Sequence, residues 1–241
     1  MAASPERPAT LKGDEKEQYV EGMFNRIAPR YDLLNRVMSM KMDQRWRRRA
    51  ARELDLREGD VVVDLGAGTG DLSLEVARAH RGARVVALDL ARAMLTFIPA
   101  KRGNLPVEPT HGSALALPVK SGSAGGAVTA FVLRNVKDLD LFFREAHRVL
   151  RPGGRFVSLE ISRPPGKVMG PLYRFYFFRV MPKVGAWLSK DRQAYTYLSE
   201  TVQMVETPAQ IAGRLQRAGF EDVRHVPLMR GAVMMHVARK P

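Results

Sequence analysis

Three alternating glycines mark the first place in the chain where residue type and spacing suggest chemistry. The stretch Asp64-Leu65-Gly66-Ala67-Gly68-Thr69-Gly70 closes an apolar, β-branched run that begins at Val61. Glycine lets a backbone turn sharply and approach a ligand closely. The spacing is informative. A dinucleotide loop, G-x-G-x-x-G, would need its third glycine at position 71; that residue is Asp71, an acid where a pyrophosphate would pass. A phosphate-binding P-loop would need Gly-Lys further on, and none follows. An acidic loop of this kind suits a ligand without phosphate.

Such a loop needs a sheet to hold it. In an open α/β sheet the ligand lies outside the carboxyl ends of the strands, at the point where strand order reverses. Val61–Leu65 has the continuous apolar character of a strand buried on both faces. Asp71–His80 reads as a helix, Arg84–Asp89 as a second strand, Ala91–Ile98 as a helix and Val107–His111 as a weak third strand. Gly126–Leu133 follows as a strand, Leu139–Leu150 as a helix ended by Arg151-Pro152-Gly153-Gly154, and Arg155–Glu160 as a fifth strand. This alternation predicts a doubly wound, mostly parallel α/β sheet. Ahead of it, Tyr19, Val20, Met23, Phe24 and Ile27 place an amphipathic helix over Glu15–Ala28, and a second helical region runs Asp32–Leu54. After Ile161 the alternation breaks. Met169–Leu188 is crowded with aromatics, and regular structure resumes with a helix over Pro208–Ala218 and a closing hairpin, Glu221–Leu228 with Ala232–Ala238. The expected organisation is a flexible tail (1–14) and one domain (15–241). That domain divides into an N-terminal helical lid (15–56), a cofactor core (60–162), a helical substrate cap (165–205) and a C-terminal helix and hairpin (206–241).

S-adenosylmethionine is a ligand that fits the loop: its amino-acid part is a zwitterion beside a sulfonium cation. Asp64 is placed to pair with that positive end, and free amides near Gly68–Gly70 to face the carboxylate. Asp89 ends the second strand, where an acid accepts hydrogen bonds from both ribose hydroxyls. Ser113-Ala114, after the third strand, would flank the adenine. Gly66, Thr69 and Ala130 complete the expected cofactor set, and no metal is expected. Asp71 and Asp89 can equally cap the helices that follow them.

The chain has 241 residues, 45% of them apolar, enough for one α/β domain with additions. No stretch of about 18 uncharged apolar residues suggests a transmembrane helix. Met1–Lys12 is polar, without the apolar run of a secretory signal. Cysteine is absent, which removes disulfide and thiolate chemistry and leaves cytoplasmic residence as the default. The net charge is +14, from 39 Lys+Arg against 25 Asp+Glu. Such an excess attracts nucleic acid, anionic membrane or anionic substrates. The run Arg45–Arg49 motivates a nucleic-acid reading, but no recognisable RNA module accompanies it.

Longer stretches carry a family resemblance. Met23-Phe24-Asn25-Arg26-Ile27-Ala28-Pro29-Arg30-Tyr31-Asp32-Leu33-Leu34-Asn35, Asp64–Asp71, Leu133-Arg134-Asn135-Val136 and Arg148–Gly154 are similar to the C-methyltransferases of menaquinone and ubiquinone biosynthesis. Leu159–Ser162 and Tyr195–Leu198 add to the likeness, which runs from about Val20 to Val237. It implies the class I S-adenosylmethionine-dependent fold, with N-terminal helices and a helical insertion before the last strands. It also implies methyl transfer to a ring carbon of a polyprenylated quinol. By resemblance Tyr31, Arg134 and Asn135 are the substrate-side catalytic candidates. Arg134 is a poor base, since its pKa exceeds about 12, but it can stabilise a phenolate. Arg134 and Asn135 can alternatively tie down the loop they stand in. His111 and Glu160 are further acid–base candidates, with a structural role the preferred reading of His111. Where the family commonly has Gly before Leu-Arg-Asn, this chain has Val132, and Gly125-Gly126 replaces a usual acidic-aromatic pair. Met169–Leu188 suits a prenyl channel, a membrane-surface contact at the inner face of the cytoplasmic membrane, an ordinary core or a homodimer face. Another small-molecule methyltransferase on the same cofactor domain is the competing function.

Overall fold

The structure is a computed structural model that describes residues 10–162, 197, 200–202 and 204–241. Most of the expected substrate cap, Met169–Leu188 included, lies outside the described residues, as does the start of the tail. The seven strands are β1 Val61–Leu65, β2 Arg84–Asp89, β3 Val107–His111, β4 Ala124–Ala130, β5 Leu150–Ile161, β6 Glu221–Leu228 and β7 Val233–Arg239. They form one sheet in the order β3-β2-β1-β4-β5-β7-β6. β1 to β5 run parallel, and β7 lies antiparallel between β5 and β6. Strand order reverses between β1 and β4, so the glycine loop emerges at the switch point expected to bind ligand.

Alternation along the strands builds two cores. Val62, Val128 and Val157 pack with Ala50, Ala51, Leu72 and Val76 of helices α2 (Asp43–Arg52) and α3 (Asp71–Ala79). Val63, Ala127 and Phe156 face the other way, onto Phe142, Phe143 and Ala146 of α6 (Leu139–Val149) and Leu215 of α7 (Pro208–Arg217). Phe142, Phe143, Phe156 and Phe220 form a chain of ring contacts with centroids 5.5 to 5.8 Å apart. Between β2 and β3 stand two short helices, α4 (Arg92–Leu95) and α5 (Ile98–Arg102), where the sequence suggested one.

Three local expectations shift. Helix α1 runs unbroken over Gly13–Met38, through Pro29. Proline removes a donor and usually ends a helix, but here Ala28 is buried against Ala91 and Met94, and the Asn25 side chain accepts the amide of Ala93 at 3.0 Å. Packing on both sides of Pro29 outweighs the lost bond. β4 stops at Ala130 instead of Leu133: Phe131 takes a left-handed φ of 64° and the chain coils into a single 3-10 turn, Leu133–Asn135. β5 starts at Leu150, with an irregularity in the ladder to β4 that absorbs Arg151–Gly154. Gly125 is explained by crowding: a Cβ there would lie 2.3 Å from the Asp60 carboxylate, which pairs with Arg151 at 2.8 Å.

Candidate functional site

The carboxyl ends of β1, β2 and β4 and the loop after β3 border a cavity that opens to solvent. The loop Gly66–Thr69 lines it, with Leu88–Leu90 and Ser113–Leu115 from the β2 and β3 ends. Ala130–Val132 and Asn135–Lys137 come from the β4 end. Helix α1 contributes Glu17, Val20, Phe24 and Tyr31, and α2 contributes Arg47.

The loop is held by its own bonds. The amides of Gly66 and Ala67 donate to the Leu88 carbonyl at 2.8 and 2.9 Å, Gly70 donates to the Ala67 carbonyl at 2.9 Å, and Gly68 donates to Asp89 Oδ2 at 2.7 Å. Gly66, Gly68 and Gly70 all have positive φ, at 77°, 57° and 84°. At Gly66 a Cβ would meet Val132 Cγ2 at 2.5 Å, so the valine that departs from the family pattern packs directly on the loop. The expectation of free amides at Gly68–Gly70 is corrected: of the three, only the Thr69 amide lies outside these bonds.

Asp89 lines the cavity, and its Oδ1 accepts the amide of Ala91 at 2.7 Å. Burial pushes its pKa up, against the amides of Ala91, Gly68 and Leu90, which favour the charged form. Each carboxylate oxygen retains capacity for a further donor, as two ribose hydroxyls would require. Asp64 is placed differently from the expectation. It alternates with Val63 and Leu65, so it points toward α3, where Ser73 Oγ donates to its Oδ2 at 2.6 Å. It is fully enclosed and does not line the cavity; its Oδ1 has no partner among the described residues. Burial pushes its pKa up to about 7, assisted by Asp89 and opposed by the Ser73 bond and the charge of Arg47. It therefore lies behind the loop, outside the cavity lining.

Of the residues expected at the site, Gly66, Gly68, Thr69, Asp89, Ser113, Ala114, Ala130, Tyr31 and Asn135 line one cavity. Asp64, Gly70 and Arg134 do not. The turn after Phe131 aims Asn135 at the cavity and Arg134 at β5. There, Arg134 Nη1 donates to the Phe131 carbonyl at 2.7 Å and to Glu160 Oε1 at 2.8 Å. The expected substrate-side Arg134 is thus found outside the cavity lining, in a buried ion pair with Glu160. Two of its atoms are unspent among the described residues: Arg134 Nε and Glu160 Oε2 are buried without hydrogen bonds. Asn135 Oδ1 accepts the Tyr197 hydroxyl at 3.2 Å. Burial pushes the Tyr197 phenol up to about 12, so it remains a donor. Tyr31 stands edge-on to Phe24 with centroids 6.0 Å apart. His111 lies outside the cavity lining, its Nε2 3.0 Å from the Leu90 carbonyl.

Several supporting residues escaped the sequence reading. Lys101 Nζ donates to the Thr69 carbonyl at 3.0 Å and Asp71 Oδ1 at 2.6 Å, and pairs with Asp32 at 2.7 Å. Thr69 Oγ1 in turn donates to Asp32 Oδ1 at 2.5 Å, so α1, the loop and α5 are tied at one point. Asp71 is an ion-pair partner here and not a cap. Lys16 Nζ donates to the carbonyls of Arg134 and Val136, and Glu17 bridges Lys137 and Ser113, fastening α1 over the cavity. Nothing in the sequence flags Lys101. Arg47 did carry a signal: Arg47, Ala50, Ala51 and Leu54 repeat at the spacing of a buried helix face.

A family model described as the ubiE/COQ5 methyltransferase family matches residues 12–240. The chain belongs to the ubiE/COQ5 methyltransferase family. It is 41% identical to a demethylmenaquinone methyltransferase of Thermus thermophilus over 91% of this chain and 100% of that one. It is 39% identical to a ubiquinone/menaquinone biosynthesis C-methyltransferase UbiE of Syntrophotalea carbinolica, over 89% of this chain and 91% of that one. Among solved structures, a Thermotoga maritima S-adenosylmethionine-dependent methyltransferase, titled a possible histamine N-methyltransferase, aligns with a TM-score of 0.64 at 18% identity. It covers 91% of this chain and 99% of that chain, a likeness of fold alone. The protein is an S-adenosylmethionine-dependent methyltransferase. The enclosed, unpartnered Asp64 oxygen and the exposed acceptor capacity of Asp89 suit a cationic nucleoside.

Proposed function

We propose that this methyltransferase methylates a ring carbon of a polyprenylated quinol, with demethylmenaquinol the first substrate to test and the benzoquinol of ubiquinone biosynthesis the alternative ring. Its support in the geometry is one observation: Asp89 and Ser113 share a single open cavity with Tyr31 and Asn135. A nucleoside seated on the first pair leaves the second pair for a ring. The names of the relatives supply the substrate class.

Bound S-adenosylmethionine supplies an electrophilic methyl group on sulfur. The quinol becomes a competent carbon nucleophile when a ring hydroxyl loses its proton. Asp89 and Ser113 would hold the nucleoside, which would supply the methyl carbon that the ring carbon takes from sulfur, and loss of the ring proton would restore the aromatic quinol. The chain has to align the partners and hold the phenolate. Tyr197 occupies Asn135 Oδ1, which leaves Asn135 Nδ2, with only a 3.5 Å contact to the Phe131 carbonyl, to donate to a quinol oxygen. Arg134, outside the cavity lining, holds the Phe131 carbonyl and Glu160 with its planar fork and so positions Asn135 for that oxygen. Tyr31 borders the ring from α1.

The test is single-turnover methyl transfer to a short-tailed demethylmenaquinol under reducing conditions. Arg134→Lys keeps the charge but loses the planar fork and should cost on the order of 100-fold in turnover, with cofactor affinity nearly unchanged. Turnover at the parental rate would make Arg134 structural. Joint loss of turnover and cofactor binding would make it a support of the loop. Absence of transfer to either quinol ring, with cofactor binding intact, would refute the substrate class.

We also propose peripheral contact with an anionic bilayer through the end of α1 and through α2. Leu33 and Val37, one turn apart on α1, and Met40 in the turn after it are exposed at 53%, 42% and 65%. Arg36, Lys41, Arg45, Arg48 and Arg49 are exposed around them. Among the described residues no helix is long and apolar enough to cross a membrane.

A further inference from the structure

Arg47 is 5% exposed, lines the cavity, and makes no hydrogen bond among the described residues. Its Nε is buried without a hydrogen-bond partner, and a buried guanidinium is costly unless an anion meets its donors directly. Asp43, one turn earlier on α2, forms an ion pair with it at 3.7 Å from Nε, a contact of charge without a hydrogen bond. That carboxylate is engaged elsewhere, by Ser39 Oγ at 2.7 Å and by Gln44. Of the other acids within reach of its charge, Lys101 and Gln44 hold Asp71, and Ser73 holds one oxygen of Asp64. The guanidinium stands 5.5 Å from the centroid of Phe131, a cation–π contact that orients the fork without consuming a donor. Phe131 reaches that place through its left-handed backbone, a conformation a bulky residue keeps only where the surroundings enforce it.

Of the loop amides that would ordinarily receive an anion here, those of Gly66, Ala67, Gly68 and Gly70 are taken up by Leu88, Asp89 and Ala67, which leaves the Thr69 amide alone. S-adenosylmethionine has one anionic group, the carboxylate of its amino-acid end. We propose that Arg47, from α2, binds that carboxylate in a charge-assisted, two-point contact. Recognition of the amino-acid end then rests on a helix side chain more than on the glycine loop. The proposal rests on the cofactor site described above and adds to it a group that discriminates a carboxylate-bearing ligand from one without.

Titration calorimetry with three nucleosides tests it. S-adenosylmethionine carries the carboxylate, decarboxylated S-adenosylmethionine keeps the sulfonium and amine but lacks it, and 5′-methylthioadenosine lacks the whole amino-acid end. The parent protein should prefer S-adenosylmethionine over its decarboxylated form by about 10- to 100-fold, the range of a hydrogen bond to a charged group. Arg47→Met should abolish that preference and leave methylthioadenosine affinity unchanged. Arg47→Lys, which keeps the charge without the fork, should retain part of it and carries the test if the Met variant does not fold. A parental preference in both variants would overturn the role of Arg47. So would an equal loss of affinity for all three ligands, which would mark a collapsed pocket. An unchanged preference with slowed methyl transfer would move Arg47 to the quinol and also overturn the proposal. A parent that binds none of the three would instead refute the cofactor site itself.

Discussion

Asp64→Asn should stabilise the ligand-free protein near pH 8 and flatten the pH dependence of its stability. Asp64 is fully buried, with one oxygen bonded to Ser73 and the other bonded to nothing among the described residues. Burial pushes its pKa from an ordinary 3.8 up to about 7. At about 1.4 kcal/mol for each pKa unit, that rise is worth at most about 4 kcal/mol. The folded state binds this proton more tightly than the unfolded chain. The contribution to stability is therefore full below pH 3.8, declines as pH rises toward about 7, and is lost above that. Asparagine does not titrate, but its amide would leave a buried donor unsatisfied, at a cost of about 1–3 kcal/mol. The variant should thus gain about 1–3 kcal/mol on its parent at pH 8 and lose that advantage by pH 5. For a chain of this size each kcal/mol moves Tm by roughly 2–4 °C. Thermal melts of both proteins at pH 5 and pH 8, without ligand, are the assay. An equal Tm difference at the two pH values would refute the assignment of a raised pKa to Asp64. A bound sulfonium favours ionised Asp64, so cofactor affinity of the parent should rise between pH 6 and pH 8, and that rise should vanish in Asp64→Asn.

Asp89→Ala removes the acceptor for the Gly68 and Ala91 amides as well as the expected ribose contacts. S-adenosylmethionine affinity should fall by about 100-fold or more, two charged hydrogen bonds' worth, and unchanged affinity by calorimetry would count against the ribose role. Gly66→Ala meets a positive φ and Val132 at 2.5 Å, so it should destabilise by about 1–3 kcal/mol. Adding Val132→Gly should recover the steric part, and strictly additive melting shifts would show that the two side chains do not meet. Sedimentation with anionic vesicles should capture the protein at low salt and release it as screening increases. Equal capture by neutral vesicles, or loss of neither in a Leu33→Ser/Val37→Ser variant, would defeat the membrane contact.

Where short-range chemistry decides, the residues alone were informative. The run Val61–Leu65, the G-x-G-x-G spacing with Asp71 in the way of a phosphate, and the alternation of strand and helix patterns located the sheet and the loop at its switch point. Period and glycine placement are properties of neighbours in sequence. What the side chains of that loop face is not. Asp64 lies behind the loop because α3 brings Ser73 to it. Arg134 turns from the glycines because β4 ends early and β5 presents Glu160. Helix α1 passes Pro29 because α4 packs against it, and Lys101 becomes the tie between Asp32, Thr69 and Asp71 only once α5 docks beside the loop. Each of these depends on a partner many residues distant, whose position is set by the packing of whole elements, and a buried charge takes whichever counter-charge that packing delivers. For Arg47 the spacing of Ala50, Ala51 and Leu54 is that of a buried helix face; only the tertiary structure sets its guanidinium on the cavity beside Phe131 with Nε unpartnered among the described residues.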